Sequence, residues 1–427
     1  MQFEWLTPIL IGEIIFFILT NCLWIFLYFN FRNRRKYIKT RKKPLVSILI
    51  PSYNKAHVLE KTIRSVLDLD YPKKDIIVID DGSTDRTKKL CERFLKEKKI
   101  RLITHGKNLG KATALNDGIK MAKGEIVLTV DADSFPERDS LKKLVPYFAD
   151  PKMGAVAGVI KIQNSSKFLT MFQRLEYLQM AFQRLVQGFF SSVLVTPGPL
   201  TAYRKSALEA AGYFDSSTLV EDWDITMKIH KAGYKIIAER DAVGYTMAPS
   251  SFQGLHKQRL RWNRGGIQIA KRHCDIFFNK NNRTLGLFVF PLHLIWLSIP
   301  FILLPTAVIA ILPESMALEN ILLYLSQFMS AIVGAIASMN FFEIFKMAET
   351  MVLNFLDFLH LDLLRIIGFM SIFAFLAFIG FSMKTTFEKI IPRDIGALLF
   401  LSFYWLMLLA IFIHAFILEV LRRERKW

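Results

Sequence analysis

Long apolar segments occur near both ends of this chain and flank a middle part of ordinary soluble composition. Residues 5–29 contain no lysine or arginine and a single acid, Glu13. At about 1.5 Å per residue, a helix over this segment is longer than the roughly 30 Å hydrocarbon core of a bilayer. The segment therefore predicts a transmembrane helix within residues 1–30. Inside such a helix, Glu13 has either a role on a substrate pathway or one in packing near the interface.

A dense basic run follows this first apolar segment. Residues 31–43 hold eight lysines and arginines and no acid. Because a cleaved signal peptide carries its basic residues before the apolar run, the order indicates an uncleaved anchor. Basic flanks remain on the cytoplasmic side, which places residue 31 onward in the cytoplasm. The formal net charge of +19 is thus first of all a topology signal, with a polyanion-binding tail as the alternative, and we expect no nucleic-acid partner.

A second apolar region covers residues 281–420. Four further spans are predicted there: Leu287–Leu312, Ile321–Phe342, Ile366–Met383 and Ile395–Leu418. With five spans in all, the basic tail 421–427 is also cytoplasmic and the acidic segment 313–319 lies outside. The polar side chains of residues 345–365 fall on one helical face, which favours an interfacial helix over a polar-lined span facing a channel. We expect a multi-pass protein of the cell membrane.

The composition excludes two other classes of protein. Hydrophobic residues make up 52% of the chain, far more than a disordered chain carries. The three cysteines are Cys22, Cys91 and Cys274. They lie too far apart in sequence to indicate a disulfide framework or a thiolate metal site.

Residues 44–280 alternate between short apolar runs and helix-forming stretches. The apolar runs predict strands at 45–50, 75–80, 100–105 and 125–133. The stretches between them predict helices at 56–68, 84–97 and 111–122. Continuous apolar strands separated by helices indicate a parallel sheet covered on both faces. The predicted fold is an α/β, Rossmann-like cytoplasmic domain joined to an α-helical transmembrane domain.

Two acidic pairs stand at the ends of predicted strands. Asp80 and Asp81 follow the second strand, and Asp131 and Asp133 end the fourth. In parallel sheets, ligands bind beyond the carboxyl ends of the strands. A carboxylate pair there can hold Mg²⁺ or Mn²⁺ and leave coordination positions for phosphate oxygens. The sequence has neither a G-x-x-x-x-G-K-[ST] loop nor a G-x-G-x-x-G after the first strand, which favours a sugar nucleotide over P-loop ATP chemistry or a dinucleotide.

Seven motifs in chain order carry a specific resemblance. They are PSYNK (51–55), IDDGSTD (79–85), NLGKATALNDGI (108–119), TVDADS (129–134), PGPLTAYRKSAL (197–208), VEDWD (220–224) and QRLRW (258–262). In this order, between apolar segments, they resemble the membrane-embedded, processive family-2 glycosyltransferases, the synthases of hyaluronan, chitin, cellulose and poly-N-acetylglucosamine. The resemblance covers residues 45–265 and implies a GT-A fold and inverting transfer from a nucleotide sugar. Val220 departs from the family, which often has threonine there.

The resemblance implies donor-side roles for residues in the first four motifs. Tyr53 would pack on the uracil, and Asp81, with Asp80 beside it, would hydrogen-bond the base or the ribose. Lys111 would lie near the donor. Asp131 would lie nearer the sugar or the ribose.

The same resemblance implies the metal and the catalytic base. Asp133 would ligate Mn²⁺ or Mg²⁺ on the diphosphate. Asp222, beside Glu221, would be the base that deprotonates the acceptor hydroxyl. A carboxylate suits this task if its surroundings tune its pKa, and a divalent ion offsets the charge that develops on the departing diphosphate.

The motif QRLRW would close over the site. Gln258 and Arg261 would face the donor, with the guanidinium at the pyrophosphate. Trp262 would stack on the acceptor sugar, because an indole offers a flat apolar face to a pyranose. The acceptor segment would include Gly198 and Pro199, in a sequence closer to the hyaluronan and chitin synthases than to the cellulose synthases.

These assignments have structural alternatives. Tyr53 could be a turn residue, Lys111 a solvated lysine at a helix start, and Arg261 part of a basic cytoplasmic face. Glu221 and Asp222 are also the acids that a helix over 222–232 would favour in its first turn. Trp262 could instead be an anchor at the membrane interface, since an apolar span follows it.

The expected function is a processive synthase that polymerises a sugar from a UDP-sugar, with UDP-N-acetylglucosamine the expected donor. The polysaccharide would leave through the enzyme's own membrane helices. The alternative is non-processive transfer of one sugar to a lipid carrier or lipid acceptor. A non-catalytic transporter, the third hypothesis, would not need a large soluble insertion with ordered acid pairs. The expected partners are the donor, a growing polysaccharide or lipid acceptor, and membrane lipid, and the sequence specifies no partner subunit.

Overall fold

The chain forms two compact units. The computed structural model describes residues 6–34, 43–279, 284–295, 363–389 and 401–421, together with residues 391, 394, 397 and 398. One unit contains Met1–Leu23 and Trp296–Phe378, and the other contains Trp24–Ile295 and Ile379–Trp427. The second unit holds every predicted site residue.

Helices and strands alternate through the second unit. The strands among the described residues are β1 (Val46–Ser52), β2 (Lys74–Asp80), β3 (Arg101–Thr104), β4 (Ile126–Thr129), β5 (Ser134–Pro136), β6 (Met153–Ile162), β7 (Thr201–Arg204) and β8 (Lys235–Thr246). The helices up to the end of the α/β domain are α1 (Leu6–Phe31), α2 (Ala56–Leu67), α3 (Thr87–Lys96), α4 (Lys111–Met121), α5 (Ser140–Leu144), α6 (Phe168–Phe189), α7 (Lys205–Ala210), α8 (Glu221–Lys231) and α9 (Phe252–Arg272). Apolar helices follow as α10 (Leu285–Ile295), α11 (Leu363–Thr385) and α12 (Leu401–Val420).

The strands form one mixed sheet in the order β3-β2-β1-β4-β7-β6-β8-β5. The first four strands are parallel, with Ile48 of β1 opposite Ile76 of β2 and Leu128 of β4. This confirms the arrangement predicted for them. The other half, for which no strands were predicted, is mixed: β7 runs antiparallel to β4 and β6, and β5 runs antiparallel to β8, but β6 and β8 are parallel.

Alternate side chains of the central strands fill two cores, one on each face of the sheet. On one face Ile48 packs with Ile63 of α2 and Phe94 of α3. On the other face Leu49 packs with Leu115 of α4. Burying such a side chain contributes about 1.5–3 kcal/mol relative to exposing it. The two cores therefore hold the strand ends, and the loops that leave them, in fixed positions.

The fourth predicted strand is shorter than expected. It was predicted over 125–133, but β4 ends at Thr129. The chain turns directly afterwards, with the N–H of Ser134 donating to the carbonyl oxygen of Asp131 at 2.9 Å. Asp131 and Asp133 therefore lie in the loop between β4 and β5 and not in a strand.

The apolar helices account for part of the predicted transmembrane domain. Among the described residues, one segment, Ile11–Phe31 within α1, is long and apolar enough to cross a membrane. Shorter apolar stretches lie at Leu285–Ile295, Phe373–Thr385 and Tyr404–Val420, within or overlapping three further predicted spans. The predicted span Ile321–Phe342, the segment 313–319 and nearly all of the predicted interfacial helix at 345–365 lie outside the described residues. The arrangement with five spans stays a prediction.

A buried group of charges fixes the segment after α11 to the α/β domain. Arg174 of α6 lies 2.6 Å from Asp394 and 2.5 Å from Glu388. Lys161 of β6 lies 2.9 Å from Glu388. Arg174 is 7% exposed and Asp394 is 1% exposed. Since removing one partner of a buried pair leaves an uncompensated charge, this segment is firmly held on α6.

Candidate active site

The acids after β2 organise the loop that leads into α4. The buried carboxylate of Asp81 accepts the backbone N–H groups of Leu109 at 2.9 Å and Gly110 at 2.8 Å. Nδ1 of His105 lies 2.7 Å from the same carboxylate. Asp80 accepts a backbone N–H of its own loop at 3.2 Å. Both acids are therefore engaged with protein groups, and the contacts with base or ribose that we predicted for them would be additional to these bonds.

Tyr53 lies just beyond the end of β1, and its side chain is 42% exposed. The next residue, Asn54, has a φ of +51° and accepts the backbone N–H of Thr84 at 2.8 Å. This bond fastens the first loop to the second. An exposed ring on a fixed loop at the carboxyl end of the sheet is consistent with the predicted stacking on a base.

Lys111, the first residue of α4, joins acids from two other parts of the chain. Its Nζ atom lies 2.6 Å from Oδ1 of Asp131 and 3.1 Å from Oε1 of Glu221. Burial disfavours the charged ammonium, but the negative charges of Asp131, Glu221 and Asp222 outweigh burial and raise the pKa of Lys111. The donor-side acid and the predicted catalytic pair thus share one cation.

Glu221 and Asp222 occupy the first turn of α8, where the helix dipole favours acids. Burial, together with the charge of Glu221, raises the pKa of Asp222 to about 6, and the charges of Lys111 and Arg261 limit the rise. Burial acts in the same direction on Glu221, but Lys111 and Arg261 outweigh it and lower its pKa. One carboxyl group of the pair stays ionised while the other titrates close to neutral pH, which suits a proton acceptor.

Gly198 borders this group of charges. Its carbonyl oxygen accepts the hydroxyl of Thr129 at 2.8 Å, which fixes the 197–200 loop beside β4. A Cβ atom on Gly198 would lie 2.9 Å from Nζ of Lys111 and 3.5 Å from Oδ2 of Asp222. The absence of a side chain therefore lets the backbone of Gly198, with Pro199 next to it, lie close to this group of charges. The acceptor-side role of the two residues stays a prediction.

A cavity of about 390 Å³ lies at the other acid of the Asp131-Ala-Asp133 motif. Lys55, Asp133 and Gln258 line it. Nζ of Lys55 lies 2.7 Å from Oδ2 of Asp133. The Oε1 atom of Gln258 is buried, and no described residue hydrogen-bonds it. Both acids of the motif are thus paired with lysines, and Gln258, whose Oε1 atom is buried, is among the residues around the same cavity.

The residues around this cavity fit a divalent ion only in part. Within the described ranges, no group of three or more His, Cys, Asp or Glu side chains could hold a metal ion. Asp133 and Gln258 do bring hard oxygen atoms to one cavity, and oxygen is the ligand that Mg²⁺ and Mn²⁺ prefer. The donor set therefore suits an ion that takes its remaining ligands from a diphosphate, provided that Lys55 releases Asp133.

The helix that carries QRLRW packs closely against the start of α8. A Cβ atom on Gly265 would lie 2.6 Å from the side chain of Val220, and one on Gly266 would lie 2.9 Å from that of Trp223. These two glycines let α9 approach the predicted base. Nη1 of Arg261 donates to the carbonyl oxygen of Leu219 at 3.4 Å, so its guanidinium lies beside the same turn.

Trp262 is partly covered by other side chains. The guanidinium of Arg259 lies 4.1 Å from the centre of its ring. The ring of Tyr177 lies 6.2 Å away at 45°. Arg259 therefore covers one face of the indole, which also packs against the cluster that contains Val220 and Trp223. The acceptor-stacking role and the interface-anchor alternative both stay predictions.

Several residues near the site were missed by sequence reasoning. Lys55 stands in the motif PSYNK, and its charge was the available signal. Tyr177 and Arg184 come from α6, which carries no recognisable motif. Burial lowers the pKa of Arg184 to about 10, and Asp222 is among the groups that act on it. Its Nε donates to the carbonyl oxygen of Val195 at 3.0 Å.

Part of this chain is similar in sequence to known glycosyltransferases and polysaccharide synthases. Residues 47–212 match the family model described as Glycosyl transferase family 2. The poly-beta-1,6-N-acetyl-D-glucosamine synthase of Staphylococcus epidermidis is 34% identical over 261 residues, which are 60% of this chain and 63% of that protein. The synthase of the same description from Staphylococcus aureus strain COL is 33% identical over 272 residues, 62% of this chain and 66% of that protein. The chain thus spans just under two thirds of the length of these relatives.

A solved structure shows the fold. The mannosyltransferase PcManGT from Pyrobaculum calidifontis, in complex with GDP-Man and Mn²⁺, superposes with a TM-score of 0.57. The match covers 90% of this chain and 96% of that one at 23% identity. This likeness confirms the GT-A type α/β fold.

The charge arrangement predicts how Asp222 titrates. We expect its carboxyl group to lose a proton at about pH 6. Because the charge of Lys111 lowers that pKa, Lys111→Met should move the titration to higher pH. Infrared difference spectra of the purified chain between pH 4 and 8 would measure it, with Asp222→Asn identifying the band.

Lys142→Met is the matched control, since Lys142 pairs with Asp70 away from the site. This variant should leave the Asp222 band in place. An Asp222-dependent band near the ordinary value of about 4 would contradict the arrangement, as would a shift to lower pH in Lys111→Met.

Proposed function

We propose that this chain, which carries a family-2 glycosyltransferase domain at residues 47–212, is an inverting, processive synthase of an N-acetylglucosamine polymer. The donor would be UDP-N-acetylglucosamine, and the polymer would cross the membrane through the enzyme's own helices. The observation that carries the proposal is the meeting of Asp131 and Glu221 on the single cation of Lys111, with Asp222 next in the chain. In the proposed mechanism, Asp131 would be the donor-side acid of this group and Asp222 its base.

On the acceptor side, Asp222 would take the proton of the sugar hydroxyl as that oxygen attacks the anomeric carbon. The raised pKa makes the carboxylate a better proton acceptor than an ordinary aspartate while leaving it ionised at neutral pH. Glu221 stays ionised and would hold Lys111 in position. Gly198, whose lack of a side chain lets its backbone lie close to Lys111 and Asp222, would border the incoming hydroxyl.

On the donor side, Tyr53 would stack on the base. Arg261 would face the departing diphosphate, because a guanidinium matches phosphate geometry in a bidentate manner. Asp133 and Gln258 would hold Mn²⁺ or Mg²⁺, which when bound neutralises charge on the leaving diphosphate. Lys55 would turn from Asp133 to the phosphates once the ion takes its place.

The sugar and the polymer are proposed from the relatives. Both staphylococcal proteins are described as synthases of poly-beta-1,6-N-acetyl-D-glucosamine, and their similarity extends over about 60% of this chain. Processivity is proposed from the QRLRW motif, in which Trp262 would stack on the acceptor sugar. The apolar helix α10 begins shortly after α9, so a wall of the exit route would start close to the site.

The location is proposed from the apolar segments. Ile11–Phe31 would anchor the chain, and the basic segment after it would keep the catalytic domain in the cytoplasm. The remaining predicted spans would make the protein a multi-pass one of the cell membrane.

Removing the base tests the chemistry. Asp222→Asn keeps the shape of the side chain but cannot accept a proton, so turnover should fall at least about 10²-fold while the affinity for UDP changes little. In the wild type, turnover should rise with pH through about 6, as Asp222 loses its proton. Asp275→Asn, at an exposed acid, is the control. Near-normal turnover in Asp222→Asn would return this residue to a purely helix-capping role.

Metal binding tests the donor side without relying on turnover. Electron paramagnetic resonance of free Mn²⁺, with UDP present, would measure the affinity. Asp133→Ala should abolish binding. Lys55→Met should tighten it several-fold, because the ammonium no longer competes for Asp133, whereas Lys55→Arg should not. Unchanged Mn²⁺ binding in Asp133→Ala would contradict the metal assignment.

Trp262 tests processivity. Stacking on an aromatic face contributes about 0.5–1.5 kcal/mol beyond the area buried, enough to favour retention of the acceptor over its release. Trp262→Ala should therefore reduce polymer synthesis more than it reduces donor hydrolysis. Phe252→Ala, which removes an exposed aromatic ring from the same helix, should alter neither. Equal losses of synthesis and hydrolysis in Trp262→Ala would count against the stacking role.

A further inference from the structure

The indole of Trp262 is connected to two other helices through one buried chain of polar contacts. Arg259, which lies over the indole at 4.1 Å, pairs through Nη2 with Oε2 of Glu176 on α6 at 2.7 Å. The hydroxyl of Tyr404 on α12 donates to the same oxygen at 2.6 Å. The contacts therefore run in order from α12 through α6 to α9. They end on the residue proposed to hold the acceptor.

Each member of this chain is well fixed. Arg259 is 3% exposed and Tyr404 is 2% exposed. The Tyr404 ring stacks on Phe172 of α6, with centroids 5.0 Å apart and planes 14° apart. A hydroxyl held on such a ring has little freedom to leave the carboxylate. The Tyr404 hydroxyl therefore fixes the Oε2 atom of Glu176, which also pairs with Arg259.

Glu176 controls the position of the guanidinium. The Nε and Nη1 atoms of Arg259 are buried, and no described residue hydrogen-bonds them. Glu176 supplies the counter-charge that orients Arg259, and the Tyr404 hydroxyl also acts directly on the same guanidinium. Without Glu176, a buried cation would lack its counter-charge and would move. The face of Trp262 that Arg259 covers would then lose its support.

Helices α9 and α12 also touch at a second place, which provides a comparison. Glu419 of α12 accepts Nε of Arg264 at 2.7 Å and Nε2 of Gln268 at 2.9 Å. These contacts attach α12 to α9 but do not reach the indole. A general loosening of α9 from α12 can therefore be distinguished from a loss of the contacts that end on Trp262.

We propose that Tyr404 and Glu176 are positioning residues that hold the Trp262 indole through Arg259, so that the apolar helix α12 sets how firmly the acceptor is retained. This inference rests on the proposed function, in which Trp262 binds the acceptor. It extends that function to residues of α6 and α12, which lie outside the QRLRW motif. A positioning residue of this kind should alter retention of the product and leave donor binding alone.

The test is a double-mutant cycle on the full chain in lipid nanodiscs. Product length, and the division of consumed UDP-N-acetylglucosamine between polymer and hydrolysis, are measured with the KM for the donor. Tyr404→Phe keeps the stacked ring and removes only the hydroxyl. It should shorten the product about threefold or more, since hydrogen bonds to charged groups are among the stronger ones, with an unchanged KM for the donor. Glu176→Gln, which removes the charge opposite Arg259, should shorten it further.

The effect of Tyr404→Phe in the Trp262→Ala background decides whether Tyr404 acts through Trp262. In the Trp262→Ala background, Tyr404→Phe should have almost no further effect, because the residue that it positions is gone. Tyr245→Phe is the matched control, since that hydroxyl also donates to a glutamate, Glu137, at 2.9 Å but on a different part of the sheet. It should behave as the wild type.

Two results would overturn the inference. In one, the reductions in product length caused by Tyr404→Phe and Trp262→Ala multiply in the double variant, as independent effects would. In the other, Glu419→Gln reproduces the Tyr404→Phe profile, which would mean that α9 is merely loosened. If the wild type transfers a single sugar and never makes polymer, the proposed processivity fails instead. The cycle measured on the rate of that transfer still tests whether Tyr404 acts through Trp262.

Discussion

The ammonium of Lys111 is the interaction on which the candidate site depends. It lies within 3.1 Å of two acids that the chain brings from different places, Asp131 after β4 and Glu221 at the start of α8. The backbone N–H groups of Leu109 and Gly110, just before α4, donate to Asp81. These hydrogen bonds fix the position at which Lys111 begins the helix. Without the cation, three neighbouring acids would repel one another in a buried space, and the pKa of Asp222 would rise further. The donor side and the acceptor side are thus one electrostatic unit.

Much of this arrangement could be predicted from the sequence. Buried parallel strands have a clear apolar signature, and β1 to β3 lie close to their predicted bounds, because burial on both faces leaves few polar positions. The end of β4 could not be predicted, because the turn at Asp131 depends on the bond with Ser134 and not on an apolar pattern. The mixed half of the sheet was missed for a similar reason: its pairing is decided by contacts between distant segments.

The positions of the side chains likewise include some that the sequence predicts and some that it does not. Motif residues such as Lys111 and Glu221 lie together, since each stands at the start of a helix whose place the sheet fixes. Residues that act by packing carry no such signal. Glu176 lies in a stretch without a motif and Tyr404 in a predicted apolar span, and only the fold shows that the two share a hydrogen bond beside Arg259. The position of Arg259 over the Trp262 indole also follows from the fold alone.

The central claim is that this chain builds a polymer from a UDP-sugar. The most direct measurement offers purified protein in nanodiscs a panel of radiolabelled UDP-sugars, one at a time at low donor concentration, and separates the products by size and by lipid extraction. We expect long, water-soluble polymer from UDP-N-acetylglucosamine alone. Long polymer should already be present while most of the donor is unused. A product of single sugars on extractable lipid, whichever donor is offered, would contradict this expectation.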